Sequence, residues 1–79
     1  MTRQAVTCRN VFSITPSDDT DLTNNCLIRV GGNGGDIKVT TTGGDTETLK
    51  NVSTGDILPI WIKKVFSTGT TATDLEGLY

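Results

Sequence analysis

The stretch Asp36–Val52, "DIKVTTTGGDTETLKNV", decides the fold class, because it has the pattern of two strands joined by a turn. Ile37 and Val39 alternate with polar neighbours, which is the period-two pattern of a strand with one buried face. Residues 43–45, "GGD", have turn chemistry, and residues 46–52 then return as an antiparallel partner. The stretch therefore predicts a pair of strands and indicates a β protein.

The other apolar runs are also short and strand-like, and no window shows a convincing helical period. They cover residues 10–15, 26–30, 57–67 and 74–79. Turn residues recur about every 8–12 residues, which is the spacing typical of small β domains. We therefore predict an all-β fold, a small antiparallel β-sandwich or barrel of about five to seven short strands.

Individual residues can be assigned to faces within these runs. Phe12 and Ile14 are the core candidates of the first run, and Pro59, which lacks a backbone donor, is expected at a strand start or on an edge strand. The glycine-rich stretch 31–35 is expected to be a hairpin connection with positive φ angles. Alternation after Pro59 puts Ile60, Ile62 and Phe66 on one face, and Trp61, Lys63 and Val65 on the other.

The length of 79 residues allows one domain, 1–79, in which we expect residues 1–10 to form an extended N-terminal arm. A chain of this size buries only about 60% of the surface that its unfolded form exposes, so its core is marginal. Small scaffolds gain stability from a disulfide, a metal or a partner subunit. Burial of surface between subunits is one way to stabilise so small a core.

Charge and cysteine content exclude several classes of function. The net charge is −2 and the seven Lys and Arg residues are scattered, which disfavours nucleic-acid binding. No apolar run approaches the roughly 20 residues that cross a membrane, and the N-terminus lacks a hydrophobic signal core, so we expect a soluble protein made in the cytoplasm. Cys8 and Cys26 are then expected to be free thiols.

Two stretches have features of calcium sites. Gly31–Val39, "GGNGGDIKV", matches much of a calcium-binding nonapeptide, but Lys38 occupies its apolar position and one copy supplies only half a site. Residues 17–21, "SDDTD", gather three carboxylates without the spacing of an EF-hand loop. We interpret the first stretch as a turn and the second as a polar loop, and expect no metal and no cofactor.

Catalysis is not supported, because the chain has no histidine to act as a general base and its cysteines lack an activating partner. Trp61 has two interpretations that the sequence leaves open: it fills the core, or it anchors a subunit interface. A small carbohydrate- or calcium-binding module that uses Trp61 and the loop 17–21 is the alternative from a different functional class.

The chain has an "ITPSD" element (14–18) followed by "DL" (21–22), a "GGD" turn (34–36) before a strand, "NV" (51–52) and "LP" (58–59) elements, and a terminal "TGTTATD" (68–74) followed by "LY" (78–79). In these elements, the chain from about residue 12 to residue 79 resembles the head spike base proteins of phages and gene transfer agents. The segment 60–65, "IWIKKV", stands where the family has a more basic "VRVRRV", so any binding that depends on those arginines is not carried over.

The resemblance implies a virion structural protein on the capsid exterior, a vertex head spike base or a decoration protein, with a tail or baseplate component as the alternative. It also implies the major capsid protein and a head fibre protein as partners. Particle symmetry would require a homo-oligomer, a pentamer or a trimer. We expect the subunit or capsid interface to include Trp61, Val65, Phe66, Leu78 and Tyr79.

Overall fold

A computed structural model describes residues 8–79, which form six strands joined by turns and loops. Those residues include no helix, so none of them belongs to a membrane-spanning helix. The strands are β1 (Val11–Ser13), β2 (Cys26–Val30), β3 (Gly35–Thr41), β4 (Thr46–Val52), β5 (Ile57–Val65) and β6 (Leu75–Leu78). The predicted all-β class is confirmed.

The six strands form one open sheet in the order β1-β6-β2-β5-β3-β4, and every neighbouring pair is antiparallel. The arrangement is thus a single sheet, where the sequence predicted a sandwich or a barrel. The pair predicted from Asp36–Val52 is present as β3 and β4, and its turn contains Gly44 at a φ of 99°. The last run of the chain is also confirmed as a strand, because β6 lies between β1 and β2.

The prediction of a hairpin at the glycine-rich stretch 31–35 was wrong. Strand β5 lies between β2 and β3, so this stretch crosses over a strand and does not join two paired ones. Its glycines have no positive φ; they are required by close packing. A Cβ at Gly34 would overlap the carbonyl oxygen of Val52, and a Cβ at Gly32 would lie 2.7 Å from the carboxylate of Asp74.

Strand β5 departs from regular alternation at two bulges. Cys26 of β2 pairs with Ile62, but Ile28 pairs with Leu58, so residues 59–61 bulge opposite Leu27. The bulge accommodates Pro59, since it needs no ladder hydrogen bond from this residue. Pro59 is the third residue of β5 and precedes the residues that pair with β3, so it lies near the strand start with a strand neighbour on one side only, in agreement with the prediction.

The second bulge corrects the predicted faces of β5. Thr40 of β3 pairs with Lys64 and Thr41 pairs with Ile62, which leaves Lys63 as an extra residue. The extra residue reverses the alternation beyond it. Ile62 and Val65 consequently both face the core, with exposed fractions of 0% and 1%. The expectation that Val65 shares an outward face with Trp61 was wrong for this reason.

The core lies on one face of the sheet, which we call the inner face. Phe12 packs against it and Ile14 is buried in it, as predicted. The buried core residues are Ile14, Cys26, Ile28, Val30, Ile37, Val39, Val52, Ile62, Val65, Ala72 and Leu75.

Residues 66–74, the bridging segment, tie together strands that are not neighbours. The N–H groups of Phe66 and Thr71 donate to backbone carbonyls of β3 at 2.8 Å. At the other end of the segment, the carbonyl of Asp74 accepts a hydrogen bond from Gly31, directly after β2, at 2.9 Å. The segment therefore holds the start of β3 near the end of β2, although β5 separates these strands in the sheet.

The N-terminal arm predicted for residues 1–10 lies mostly outside the described residues. Within them, the N–H groups of Arg9 and Asn10 both donate to the carbonyl oxygen of Tyr79 at 2.8 Å, so residues 9 and 10 continue beside the end of β6. Cys8 and Cys26 are free thiols, as expected. Burial, and to a lesser extent the neighbouring Cys8, raises the pKa of Cys26 to about 11.

Candidate docking surface

The outer face of the sheet carries a row of apolar side chains across four neighbouring strands. Val11 of β1 pairs with Leu78 of β6, and Leu78 pairs with Leu27 of β2. Residues paired across strands project from the same face, and Phe12 and Ile28, one position further along, face the core. Val11, Leu78 and Leu27 therefore lie on the outer face.

Trp61 of β5 completes the row. Cys26 and Ile62 are paired and both face inward, and the adjoining residue Trp61 lies in the bulge opposite Leu27 with an exposed side chain. Trp61 is 47% exposed and Val11 is 64% exposed, whereas Leu27 between them is only 6% exposed. We call Val11, Leu78, Leu27 and Trp61 the outer apolar row.

The neighbouring part of the outer face adds apolar surface and a neutralised ion pair. Ile57 is 42% exposed, and it pairs with Arg29 across β5 and β2. The guanidinium of Arg29 lies 2.7 Å from the carboxylate of Glu76 on β6. Because these two charges compensate each other, this part of the face offers apolar and neutral surface. Such a surface suits a partner protein better than it suits solvent.

A second part of the outer face, across β3 and β5, is basic and aromatic. The ammonium nitrogens of Lys38 and Lys64 lie 4.9 and 4.8 Å from the centroid of the Phe66 ring. Lys38 lies between the inward-facing Ile37 and Val39, which places it on the outer face. The outer face therefore combines an apolar region with an adjoining basic one.

The five residues predicted for an interface occupy three different environments. Trp61 and Leu78 belong to the outer apolar row, and Phe66 lies in the basic region of the same face. Val65 is covered within its own chain. Tyr79 packs towards the core, with its ring 5.7 Å from that of Phe12 in an edge-to-face arrangement.

Val11, Leu27 and Ile57 of this surface were missed at the sequence level. Val11 alternates with the core candidates Phe12 and Ile14, which puts it on the opposite face, but nothing local distinguishes Leu27 and Ile57 as outward positions. The feature that identifies them as one surface is their register across β1, β6, β2 and β5, which brings together residues far apart in sequence. Strand order and the two bulges of β5 must be known before that register can be assigned.

One carboxylate in each of the two calcium-like stretches accepts hydrogen bonds within the chain. Asp18 accepts hydrogen bonds from the N–H of Thr68 at 2.9 Å and from its hydroxyl at 2.7 Å. The hydroxyl bond is the largest cause of a lowered pKa of Asp18. Asp36 accepts a bond from the N–H of Asn51 at 3.2 Å. Within residues 8–79, no group of three His, Cys, Asp or Glu side chains is placed to hold a metal ion.

Comparison with known proteins adds one informative relative. A chain in a solved structure, described as the capsid of a native GTA (gene transfer agent) particle computed with C5 symmetry, is 38% identical to this chain. The match covers 95% of this chain and 92% of that one, with a TM-score of 0.80. No protein-family model and no curated protein matches. Identity at this level over almost the whole of both chains shows common family membership, so the chain belongs to the family of this phage-like, capsid-associated protein.

Proposed function

We propose that the chain is a non-enzymatic virion structural protein on the exterior of a phage-like capsid, acting as a vertex head spike base or as a decoration protein. One observation carries the proposal: similarity over 95% of the chain to a component of a gene transfer agent capsid. The motifs of the terminal segment 68–79 support the spike base role, since they are the part of the sequence most specific to that family.

The outer apolar row is the surface that we propose for docking in the particle. Trp61 and Val11 expose large apolar side chains, and covering such area contributes about 25 cal/mol for each Å² removed from water. The sheet edges are less suited to docking. Strand β1 is only three residues long, and β4 carries Glu47 and Lys50 together with a bulge, features that discourage edge pairing.

The partners proposed for this surface are the major capsid protein and further copies of the chain, with a head fibre protein carried on the assembled base. A vertex position would bring five copies around one axis, and a decoration position on a local three-fold axis would bring three. The relative comes from a particle computed with C5 symmetry, which is compatible with the vertex position.

Co-sedimentation with particles that lack this chain tests the proposal. We expect the wild-type protein to bind with a stoichiometry of five or three copies per site, and Trp61→Ala to bind at least about tenfold more weakly, as expected for an interface anchor. Lys50→Gln, which changes an exposed residue of the edge strand β4, is the matched control and should bind normally. A wild-type protein that stays monomeric and does not bind the particles would overturn the proposal.

A further inference from the structure

Lys38, Lys64 and Phe66 form a compact group on the outer face, which we call the lysine–phenylalanine cluster. Both ammonium groups lie within 4.9 Å of one ring centroid, so the two charges are at most about 10 Å apart. Cation–π contacts with the ring offset part of the repulsion between them. The cluster concentrates positive charge on a chain whose net charge is −2.

Neither lysine of the cluster has a carboxylate partner in the described part of the chain, where Arg29–Glu76 is the one ion pair. Asp18 is near enough to Lys38 for that charge to contribute to its lowered pKa. Its two oxygens accept hydrogen bonds from the N–H and hydroxyl of Thr68, and neither lies within 4.0 Å of the Lys38 ammonium. The two ammonium groups of the cluster therefore remain available as hydrogen-bond donors to a carboxylate of another molecule.

The backbone around Lys38 fixes the position of the cluster. The N–H of Lys38 donates to the hydroxyl of Thr70 at 3.1 Å, and its carbonyl accepts from the N–H of Phe66 at 2.8 Å. Gly69, at a φ of 93°, packs so close to the Lys38 stem that an added Cβ would lie 3.3 Å from Cδ. Both the ring and the lysine stem are thus held by the bridging segment, which reduces the entropy lost on binding.

We propose that the lysine–phenylalanine cluster is a recognition site for carboxylates on a partner protein, an acidic segment that lies beside an apolar one. Ammonium–carboxylate hydrogen bonds would neutralise both lysines, and the adjoining outer apolar row would cover the apolar part of the same partner. The inference rests on the proposed function for the location of that partner in the particle. The charge complementarity itself can be measured without the particle.

Titration with a hexaglutamate peptide at low ionic strength, followed by backbone NMR shifts, tests the cluster directly. We expect shifts centred on residues 38, 64 and 66, and affinity about tenfold lower in the double variant Lys38→Gln/Lys64→Gln, since each ion pair lost removes part of the attraction. Lys50→Gln/Lys63→Gln makes the same change in charge outside the cluster and should lose less than about twofold. Equal losses in the two double variants would overturn the proposal.

Two further measurements separate the possible partners. A single-stranded oligonucleotide that binds the same residues more tightly than hexaglutamate would overturn the assignment to carboxylates. In the particle assay, Lys38→Gln/Lys64→Gln should weaken binding and remove most of its salt dependence. If this variant binds particles normally while Trp61→Ala does not, the cluster proposal fails and the proposed function stands. If the wild type binds hexaglutamate but no particles, the proposed function fails and the cluster proposal stands.

Discussion

Ile62 and Val65 are three residues apart on β5, and both side chains point into the core. In a regular strand, residues three apart face opposite sides, so the pair is possible only because Lys63 is an extra residue in the ladder with β3. Because of the bulge, Val65 packs in the core, while Trp61, Lys64 and Phe66 lie on the outer face, where a partner can contact them.

Core and surface substitutions on β5 should therefore differ clearly in their effect on the free energy of unfolding. Ile62→Ala should lower the free energy of unfolding by about 2–5 kcal/mol, because it leaves a cavity in a fully buried site. Val65→Ala should cost about 1–3 kcal/mol for the same reason. Trp61→Ala should cost under about 1 kcal/mol, since the side chain is half-exposed. Urea denaturation measures all three, and a Val65→Ala protein as stable as the wild type would contradict the inward placement.

Close packing at the glycine-rich stretch gives a second prediction. Gly34→Ala should destabilise the protein by about 1–3 kcal/mol, because the new methyl group overlaps the backbone carbonyl of Val52. Gly43→Ala is the matched control, since a Cβ there meets only the Thr41 hydroxyl at 3.7 Å. Thermal unfolding should therefore give a lower melting temperature for Gly34→Ala than for Gly43→Ala. Equal melting temperatures would show that the approach of residues 34 and 52 is not tight.

The Asp18–Thr68 contact predicts a pH dependence. Because the pKa of Asp18 is lowered, the stability that this carboxylate contributes to the folded protein is fully present above its ordinary pKa of 3.8. That stability is lost as the pH falls through the lowered value. Asp18→Asn should therefore melt at a lower temperature than the wild type at pH 7, and the difference should shrink in acid. Asp19→Asn, at an exposed residue of the same loop, should melt like the wild type at both pH values.

The two thiols should differ in reactivity. Cys26 is completely buried and its pKa is raised to about 11, so it remains protonated at neutral pH and is closed to reagents. A chromogenic disulfide reagent should modify Cys8, which is partly exposed, and reach Cys26 only on unfolding. Cys8→Ser should then show almost no fast reaction. The stabilising contribution of Cys26 is complete below its ordinary pKa of 9.0 and declines as the pH rises towards 11.

Deletion of residues 75–79 should abolish folding. These residues contain β6, which is hydrogen-bonded to β1 on one side and to β2 on the other. Circular dichroism and limited proteolysis of the truncated chain should show an unfolded protein. Glu76→Gln removes only the exposed ion pair with Arg29 and should cost no more than about 1 kcal/mol. A folded truncated protein would contradict the structural role of β6.

The sequence predicted the strands better than it predicted their arrangement. The predicted runs 26–30 and 46–52 coincide with β2 and β4, because alternation and turn residues are local signals. The insertion of β5 between β2 and β3 depends on packing between distant segments, which a local pattern does not encode. Trp61 illustrates the limit for the docking surface. Its exposed position lies in the bulge 59–61 opposite β2, which the local pattern does not reveal, while its residue type is equally compatible with the core.

The strand order β1-β6-β2 has a consequence for biosynthesis. Within residues 8–79, β1 pairs with β6 alone, so none of these residues can pair with it until residue 78 has left the ribosome. Pairings between segments so distant in the chain are also slow to form, because a long loop must close first. The sheet is therefore completed only once β6 has emerged from the ribosome. Until then, the apolar residues of β1 and the edge of β2 that pairs with β6 remain uncovered and available to chaperones.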